Sequence, residues 1–336
     1  MSKKYAKVFY HGDMDGKCSA AIVQRALADT HDVEVEAINY DYDSTKLVAD
    51  LRDSDVSAED EIYFVDFTPR MEDIDFLWDD LGLRITILDH HQSALVKFQK
   101  HAYANCDDID IVTAGVFTHH DYGFHCVYDT SMAGCQVTWE HFHTGEPMPE
   151  VVRLLGNYDI WNHEDPKVYP CQLGFSLVDC EVDSPEGTKL WDMLLGPQTK
   201  EENGVTLVNS ALDQIISMGT IAHQYKQEMD RRTVRSGFVQ KLGDLTFYLV
   251  NSLVTDSYAY DQVKKDIADS VDAFGCFTYN GTTWQFSLRR KSGDTTTAVN
   301  KVAELFGGGG HPGAAGFHTN SLPWDERSNA KPSDSE

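Results

Sequence analysis

Leu83-Arg84-Ile85-Thr86-Ile87-Leu88-Asp89-His90-His91 is a short apolar run that ends in one carboxylate and two imidazoles. Arg84 to Leu88 has the composition of a strand buried on both faces of a parallel sheet. The triplet therefore emerges at a strand's carboxyl end, where open α/β sheets bind their ligands. A carboxylate and two imidazoles in a row are costly to bury unless something cationic uses them. Alone the triplet is a weak signal. Three other acidic positions, in His11-Gly12-Asp13-Met14-Asp15-Gly16, at Asp66 and at Asp159, close apolar segments in a similar way and give it weight.

Outward from this run, the first ninety residues alternate strand and helix patterns. Lys7 to Tyr10, Val33 to Asn39 and Glu61 to Asp66 read as strands, and Lys17 to Ala28 and Met71 to Leu81 as helices. That alternation predicts an α/β fold with a doubly wound parallel sheet. Gln92 to Thr130 reads as loops and short elements, followed by helices over Ala133–Phe142 and Glu150–Leu155 and a looser stretch marked by Pro166, Pro170, Pro185 and Pro197. Val205 to Arg232 reads as one long amphipathic helix connecting two domains. The last third has a different grammar. Gly237 to Val250 reads as strand, turn and strand, Asp256 to Ala268 as a helix, and Phe274–Tyr279 with Thr282–Leu288 as a hairpin about Asn280-Gly281. A helix over Thr295–Phe306 ends in four glycines. The expected organisation is a metal-binding domain over 1–200, a connecting helix over 205–235, a smaller α+β domain over 236–324 and a disordered polar tail over 325–336.

The net charge of −26 is unevenly spread. Residues 1–204 hold 15 Lys+Arg against 39 Asp+Glu, whereas residues 205–324 hold 11 of each. A protein that grips long nucleic acid shows a basic footprint, which is absent here. No run approaches the roughly 18 apolar residues of a membrane span, and Met1 to Lys7 lacks the apolar core of a signal peptide. Seven scattered cysteines without a CxxC pair point to reduced thiols, a cytoplasmic setting, and neither a disulfide framework nor a thiolate zinc site.

His11, Asp13 and Asp15 lie on a tight strand-to-helix turn and can converge into one crevice. Capping alone needs fewer acidic groups. Asp66 in Val65-Asp66-Phe67-Thr68-Pro69 ends another strand, and Asp159 sits among large apolar residues in Asn157-Tyr158-Asp159-Ile160-Trp161. Together these groups would repel one another unless divalent cations neutralised them. Mixed oxygen and nitrogen donors suit a pair of Mn²⁺-like ions, and two such ions about 3.5–4 Å apart favour in-line displacement at phosphorus. In the last third, Gly308, Gly309, Gly310 and His311 of the Gly-rich run offer N–H groups and a ring to a phosphate, and Arg289 and Arg290 could add bidentate contacts. His119-His120-Asp121 with His125 imitates the triplet but falls in the irregular stretch. His141 and His143 are expected to be exposed, and Tyr258 and Tyr260 to pack.

Six fragments in order, HGDMDG, VDFTP, DHH, NYDIW, SLRR and GGGGHPGAAG, make the chain resemble DHH-superfamily phosphoesterases with a C-terminal DHHA1 domain over nearly its whole length. The resemblance implies that His11 and Asp13 hold one Mn²⁺ and that Asp15, His90 and Asp159 hold the other, with Asp66 bridging. Mg²⁺ or Co²⁺ are the alternative ions. It implies that Asp89 orients His90, that His91 touches the scissile phosphate, and that Arg289, the glycines and His311 hold the substrate's terminal phosphate. One residue separates His11 from Asp13, a spacing nearer to RecJ, where an Asp occupies the His position, than to short-RNA-degrading members. The expectation is an Mn²⁺-dependent phosphodiesterase for short oligoribonucleotides, linear or cyclic dinucleotides, or 3′,5′-bisphosphate nucleotides, with water activated by the two ions. No membrane and no long duplex are expected as partners, and a homodimer is compatible with the reading. A RecJ-like single-strand exonuclease is the alternative within enzymes, and a catalytically silent nucleotide-binding module is the alternative outside them.

Overall fold

The computed structural model describes residues 3–38, 47, 51, 57, 60–103, 114–121, 123–197, 199–202, 205–208, 210–253 and 257–324. The chain divides into two units, Met1–His223 and Gln224–Glu336, and the division falls inside the helix Ala211–Val234. The expected disordered tail over 325–336 lies outside the described residues.

In the first unit, six strands form one sheet: β1 (Lys4–His11), β2 (His31–Ile38), β3 (Glu61–Val65), β4 (Arg84–Asp89), β5 (Val116–Asp121) and β6 (Phe124–Asp129). Their order is β2-β1-β3-β4-β6-β5, parallel throughout except for the antiparallel edge pair β5–β6. From β1 the chain passes to β2 on one side, and the later strands build on the other. The carboxyl ends of β1 and β3 therefore flank a topological switch point. Apolar runs such as Ile62, Phe64, Ile85 and Ile87 are wholly buried because helices cover both faces. One face packs on the helices Met14–Leu27, Gly134–Phe142 and Glu150–Asp159, and the other holds Ile74, Leu77, Leu95 and Phe98.

Several expectations need correction. Gln92 to Thr130 contains a helix, Gln92–Ala102, and the pair β5–β6, so His119, His120 and His125 lie on regular strands. The stretch Met71 to Leu81 is a short α-helix, Met71–Asp75, that continues as a π-turn over Phe76–Asp80. Two prolines of the supposed loose stretch lie in helices. Pro170 falls within Val168–Phe175, and Pro185 opens Pro185–Leu195 behind the N-cap Ser184. Val205–Val208 is a strand, β8, paired with β7 (Thr199–Glu202), and the long helix begins only at Ala211. Val205-Thr206-Leu207-Val208 is rich in β-branched side chains, which favour the extended chain.

The second unit carries its own six-stranded sheet: β9 (Phe238–Leu242), β10 (Leu245–Asn251), β11 (Ala273–Tyr279), β12 (Trp284–Arg290), β13 (Gly309–His311) and β14 (Ala314–Thr319). The order is β13-β14-β12-β11-β10-β9, with only β10–β11 parallel. The expected helix over Asp256 to Ala268 is a 3₁₀ turn, Ser257–Gln262, followed by the short helix Lys265–Asp269. Tyr260 is buried and stacks on Phe274 at 5.0 Å, as a core residue does, while the side chain of Tyr258 lies outside the description.

Candidate metal centre

His11 is the last residue of β1, and Asp13 caps the following helix by accepting the Gly16 N–H at 2.9 Å. The helix can start so close to the strand only because residue 16 is glycine. A Cβ there would lie 1.9 Å from the His11 carbonyl oxygen. Asp15, in the first turn, points its carboxylate at the start of a second helix, where Oδ2 accepts the Gly134 N–H at 2.7 Å and Oδ1 the Cys135 N–H at 2.9 Å. Both oxygens are thereby fixed at a helix N-terminus, which favours negative charge.

Asp66 follows β3 in a left-handed backbone conformation, φ 54°, that non-glycine residues rarely adopt. Its N–H donates to the Leu88 carbonyl at 2.8 Å, which ties the turn to β4. Gly134 packs directly on it, and a Cβ on Gly134 would stand 2.7 Å from the Asp66 Cβ. Strain of this kind, about 1–3 kcal/mol, persists where the surroundings over-determine it, and such places are often functional.

At the end of β4, Asp89 is wholly buried. Its Oδ1 accepts the His90 N–H at 2.7 Å and the His91 N–H at 3.1 Å, and lies 2.7 Å from the His91 ring Nδ1. Its Oδ2 accepts the Thr68 hydroxyl at 2.5 Å, and that hydroxyl lies 2.9 Å from the Tyr128 hydroxyl. Asp89 thus orients the ring of His91, whereas the resemblance implied His90. Of the two rings, that of His91 lies at hydrogen-bond distance from the carboxylate, while His90 meets it through the backbone N–H. His90 Nε2 faces Asp66 Oδ1 at 3.2 Å, Asp159 Oδ2 at 3.4 Å and Asp15 Oδ2 at 3.8 Å. Asp159 arrives from the last position of the helix Glu150–Asp159, which is longer than its apolar pattern suggests. His11 Nδ1 lies 3.0 Å from Asp13 Oδ2 and 3.7 Å from Asp66 Oδ2.

Among the described residues, three groups with metal-ligand spacing result: His11, Asp13 and Asp66; Asp15, His90 and Asp159; and Asp66, Asp89, His90 and His91. Asp66 belongs to the first and third groups, and His90 to the second and third. The electrostatics bear on what such a crevice would bind. Burial, reinforced by Asp13 and Asp89, pushes the Asp66 carboxyl up to about 8. Burial, with Asp66 and Asp159 adding to it, also pushes Asp15 well above the carboxylate range. For His11, burial acts downward but the carboxylates of Asp13 and Asp66 outweigh it, raising the ring to about 10. In the same way burial would lower His91, but Asp89 outweighs it and raises the ring to about 9. Asp66 Oδ1 and His90 Nε2 are buried without a hydrogen-bond partner, although they face one another. Buried polar atoms are nearly always satisfied. Two unsatisfied ligand atoms aimed at a common point, among carboxylates that burial forces to take up protons, fit a bound divalent cation of the oxygen- and nitrogen-preferring kind.

Sequence reasoning missed Thr68, Tyr128 and the N–H groups of Gly134 and Cys135. Thr68 was visible within VDFTP, but nothing in the sequence marks Met132-Ala133-Gly134-Cys135 as the cradle of a distant aspartate. The imitation triplet lies elsewhere. His120 and His125 pair across β5–β6 beside Phe124, the first residue of β6, so they stand at the opposite end of the sheet from His91. His141 is half-buried with its ring 5.3 Å from that of His125, and His143 stacks on Trp139 at 4.1 Å, so neither is exposed. In the second unit, the Arg290 guanidinium and the His311 ring flank Gly313, while Arg289 donates to the Leu288 carbonyl at 3.0 Å. Gly309, Gly310 and His311 form strand β13, and Gly308 immediately precedes it, so the glycine run is not an open loop.

No family model and no curated protein sequence matches the chain. Solved structures do. A DHH domain described as belonging to a member of a family of ribosomal proteins aligns with a TM-score of 0.52 at 12% identity, covering 93% of this chain and 82% of that one. A pGpG-specific phosphodiesterase, PggH from Vibrio cholerae, aligns at 0.48 and 13% identity over 95% and 94% of the two chains. RecJ from Thermus thermophilus in complex with Mn²⁺ aligns at 0.43 and 14% identity over 94% of this chain, which spans about half (49%) of that protein. The first likeness, together with the strand order and the placement of Asp89-His90-His91, identifies the architecture. The chain has the fold of a DHH-domain protein.

Proposed function

We propose that the chain is a metal-dependent phosphodiesterase that hydrolyses short nucleotide substrates, with two divalent cations, Mn²⁺ by preference. One observation carries the reading. His11, Asp13, Asp15, Asp66, His90 and Asp159 converge on one crevice where Asp66 Oδ1 and His90 Nε2 are buried without hydrogen-bond partners. His11, Asp13 and Asp66 would hold one cation, and Asp15, His90 and Asp159 the other, with Asp66 shared. Bound there, the pair supplies Lewis acidity toward a phosphoryl oxygen and toward water at neutral pH.

The protein's own groups do the rest. The two backbone N–H groups on Asp15 and the cap on Asp13 hold these carboxylates in place before any ligand arrives. Asp89 holds the His91 ring through Nδ1 and favours its cationic form, so Nε2 is directed at an anionic phosphate oxygen as a donor. In the second unit, taken by itself, Arg289, Arg290, Gly308, Gly309, Gly310 and His311 are proposed as a phosphate-binding set. The excess of 24 negative charges over residues 1–204 (39 acidic against 15 basic) favours a short ligand over a long strand.

The test is hydrolysis by the full chain with Mn²⁺ of di- to pentanucleotides, a long single strand and cyclic dinucleotides. Short linear substrates are expected to turn over fastest. Preference for the long strand would overturn the substrate assignment. Asp66→Ala is expected to lower hydrolysis by about a thousandfold, a loss of several kcal/mol of charge stabilisation, while nucleotide binding persists. Unchanged hydrolysis would remove the metal-centred reading.

A further inference from the structure

Next to Asp89 and His91, a cavity of about 620 Å³ opens between the turn that follows β3 and the helix Gln92–Ala102. Arg70, Lys97, Lys100 and His101 line it. Such a cluster is unexpected here, because residues 1–204 hold only 15 Lys+Arg against 39 Asp+Glu. Many of the unit's other cations are engaged by carboxylates: Lys7 by Glu34 and Glu36, Lys17 by Glu181, Arg25 by Asp192, Arg153 by Asp165 and Lys167 by Glu150. His101 is likewise paired, with Asp75 at 2.8 Å. Lys97 and Lys100 have no ion pair among the described residues.

Their spacing of three places both ammonium groups on one face of the helix. Lys100 lies in the last helical turn, where the helix dipole alone favours a cation. That explanation does not reach Lys97, which stands mid-helix. The cavity also has an apolar side, formed by the buried Phe67 and Pro69 and the half-buried Met71, and one lining carboxylate outside the metal centre, Glu72. Two lysines without carboxylate partners among the described residues, an apolar wall and direct continuity with His91 together describe a receptor for an anionic group that carries a flat or apolar body.

We infer that this cavity receives a second phosphate of the substrate, the one adjoining the scissile phosphate, together with its nucleoside. Lys97 and Lys100 contact that phosphate, and Phe67, Pro69 and Met71 face the base or ribose. The inference rests on the phosphodiesterase reading and sharpens it. The substrate class becomes nucleotides with at least two phosphates, selected within the first unit by this cavity.

The experiment compares two substrates in wild type and in Lys97→Ala/Lys100→Ala. A 5′-phosphorylated dinucleotide carries a second phosphate, whereas bis(p-nitrophenyl) phosphate is a diester without one. In the variant, KM for the dinucleotide is expected to rise about tenfold with kcat within about twofold, the size of two exposed ammonium–phosphate contacts. KM for the nitrophenyl diester is expected to move less than about twofold, and Lys97→Arg/Lys100→Arg to restore the dinucleotide KM. An unchanged dinucleotide KM, or equal rises for both substrates, would overturn the inference and leave the phosphodiesterase reading standing. If wild type hydrolyses neither substrate, that reading fails on its own. The cavity is then judged by calorimetric binding of the dinucleotide to Asp66→Ala with and without the two lysine changes. Equal affinities would overturn it.

Discussion

Asp66 concentrates the chemistry of the site in one residue. It has a left-handed backbone, a carboxyl pushed up to about 8 chiefly by burial, and one oxygen without a hydrogen-bond partner. Its position depends on what is absent at residue 134. Gly134→Ala would place a methyl group 2.7 Å from the Asp66 Cβ and 2.8 Å from its Oδ1. Relief of such overpacking typically costs about 1–3 kcal/mol, and the displaced carboxylate would lose its place among the ligands. We expect Gly134→Ala to stay folded by circular dichroism and to weaken Mn²⁺ binding about 10–100-fold, the usual cost of disturbing a ligand's support. Wild-type affinity measured by calorimetry would show that Asp66 has freedom to move. Thr68→Val tests a second support, because it removes the hydroxyl that donates to Asp89 Oδ2 and leaves one buried carboxylate oxygen without that donor. A drop of about tenfold in kcat is expected, with KM nearly constant. A change confined to KM would place Thr68 in substrate binding instead.

The helix Gly134–Phe142 works at both of its ends. Its first N–H groups hold Asp15, and its last turn sets His141 against His125 at the far edge of the sheet. Burial, with His125 adding repulsion, pushes the His141 ring down to about 4 from its ordinary 6.5. A folded-state value below the unfolded one means that the contribution to stability is fully present above about 6.5 and is lost as pH falls toward 4. As pH falls from 6.5 toward 4, the wild-type melting temperature should therefore drop relative to that of His141→Gln, whatever the other groups contribute to both. Parallel curves would show that His141 is solvated. This element also marks how far the sequence was legible. β1, β3 and β4 were readable because strands buried on both faces must be continuous apolar runs, and HGDMDG and DHH followed from their position at strand ends. β5 was not readable, since its half-buried and exposed positions alternate through His119 and His120 without an apolar signature. Residues 205–208 read as part of the following helix because a short apolar segment fits either period. The contact of Asp15 with residues 134 and 135 spans about 120 positions of sequence, and no local pattern encodes it.

At the scale of the whole molecule, the fold gathers buried carboxylates, and burial in the metal-free chain drives two of them, Asp15 and Asp66, toward their protonated forms. Asp66 has a folded value of about 8 against 3.8 in the unfolded chain. Its protonated form suits the fold, and the stability it contributes is lost as pH rises from about 4 through 8. His11, at about 10, and His91, at about 9, favour the fold in their cationic forms below 6.5, and that contribution fades as pH rises through those values. Asp13 and Asp89 have the opposite sign. Burial would raise both, but the His11 ring and the Gly16 N–H hold Asp13 below the usual carboxylate range, and the His91 ring and Thr68 do the same for Asp89. Their contribution is lost only in acid below that range, outside the interval of interest. The metal-free protein should therefore lose stability steadily from pH 5 to pH 8. A divalent cation takes the place of the protons, so its binding releases them and becomes more favourable as pH rises. Melting temperatures in EDTA and in saturating Mn²⁺, measured at pH 5, 6.5 and 8, should diverge, with the smallest gap at pH 5 and the largest at pH 8. A gap independent of pH would mean that the carboxylates of the crevice are already ionised without metal, and the site would then be an ordinary polar cleft whose acidity needs no cation.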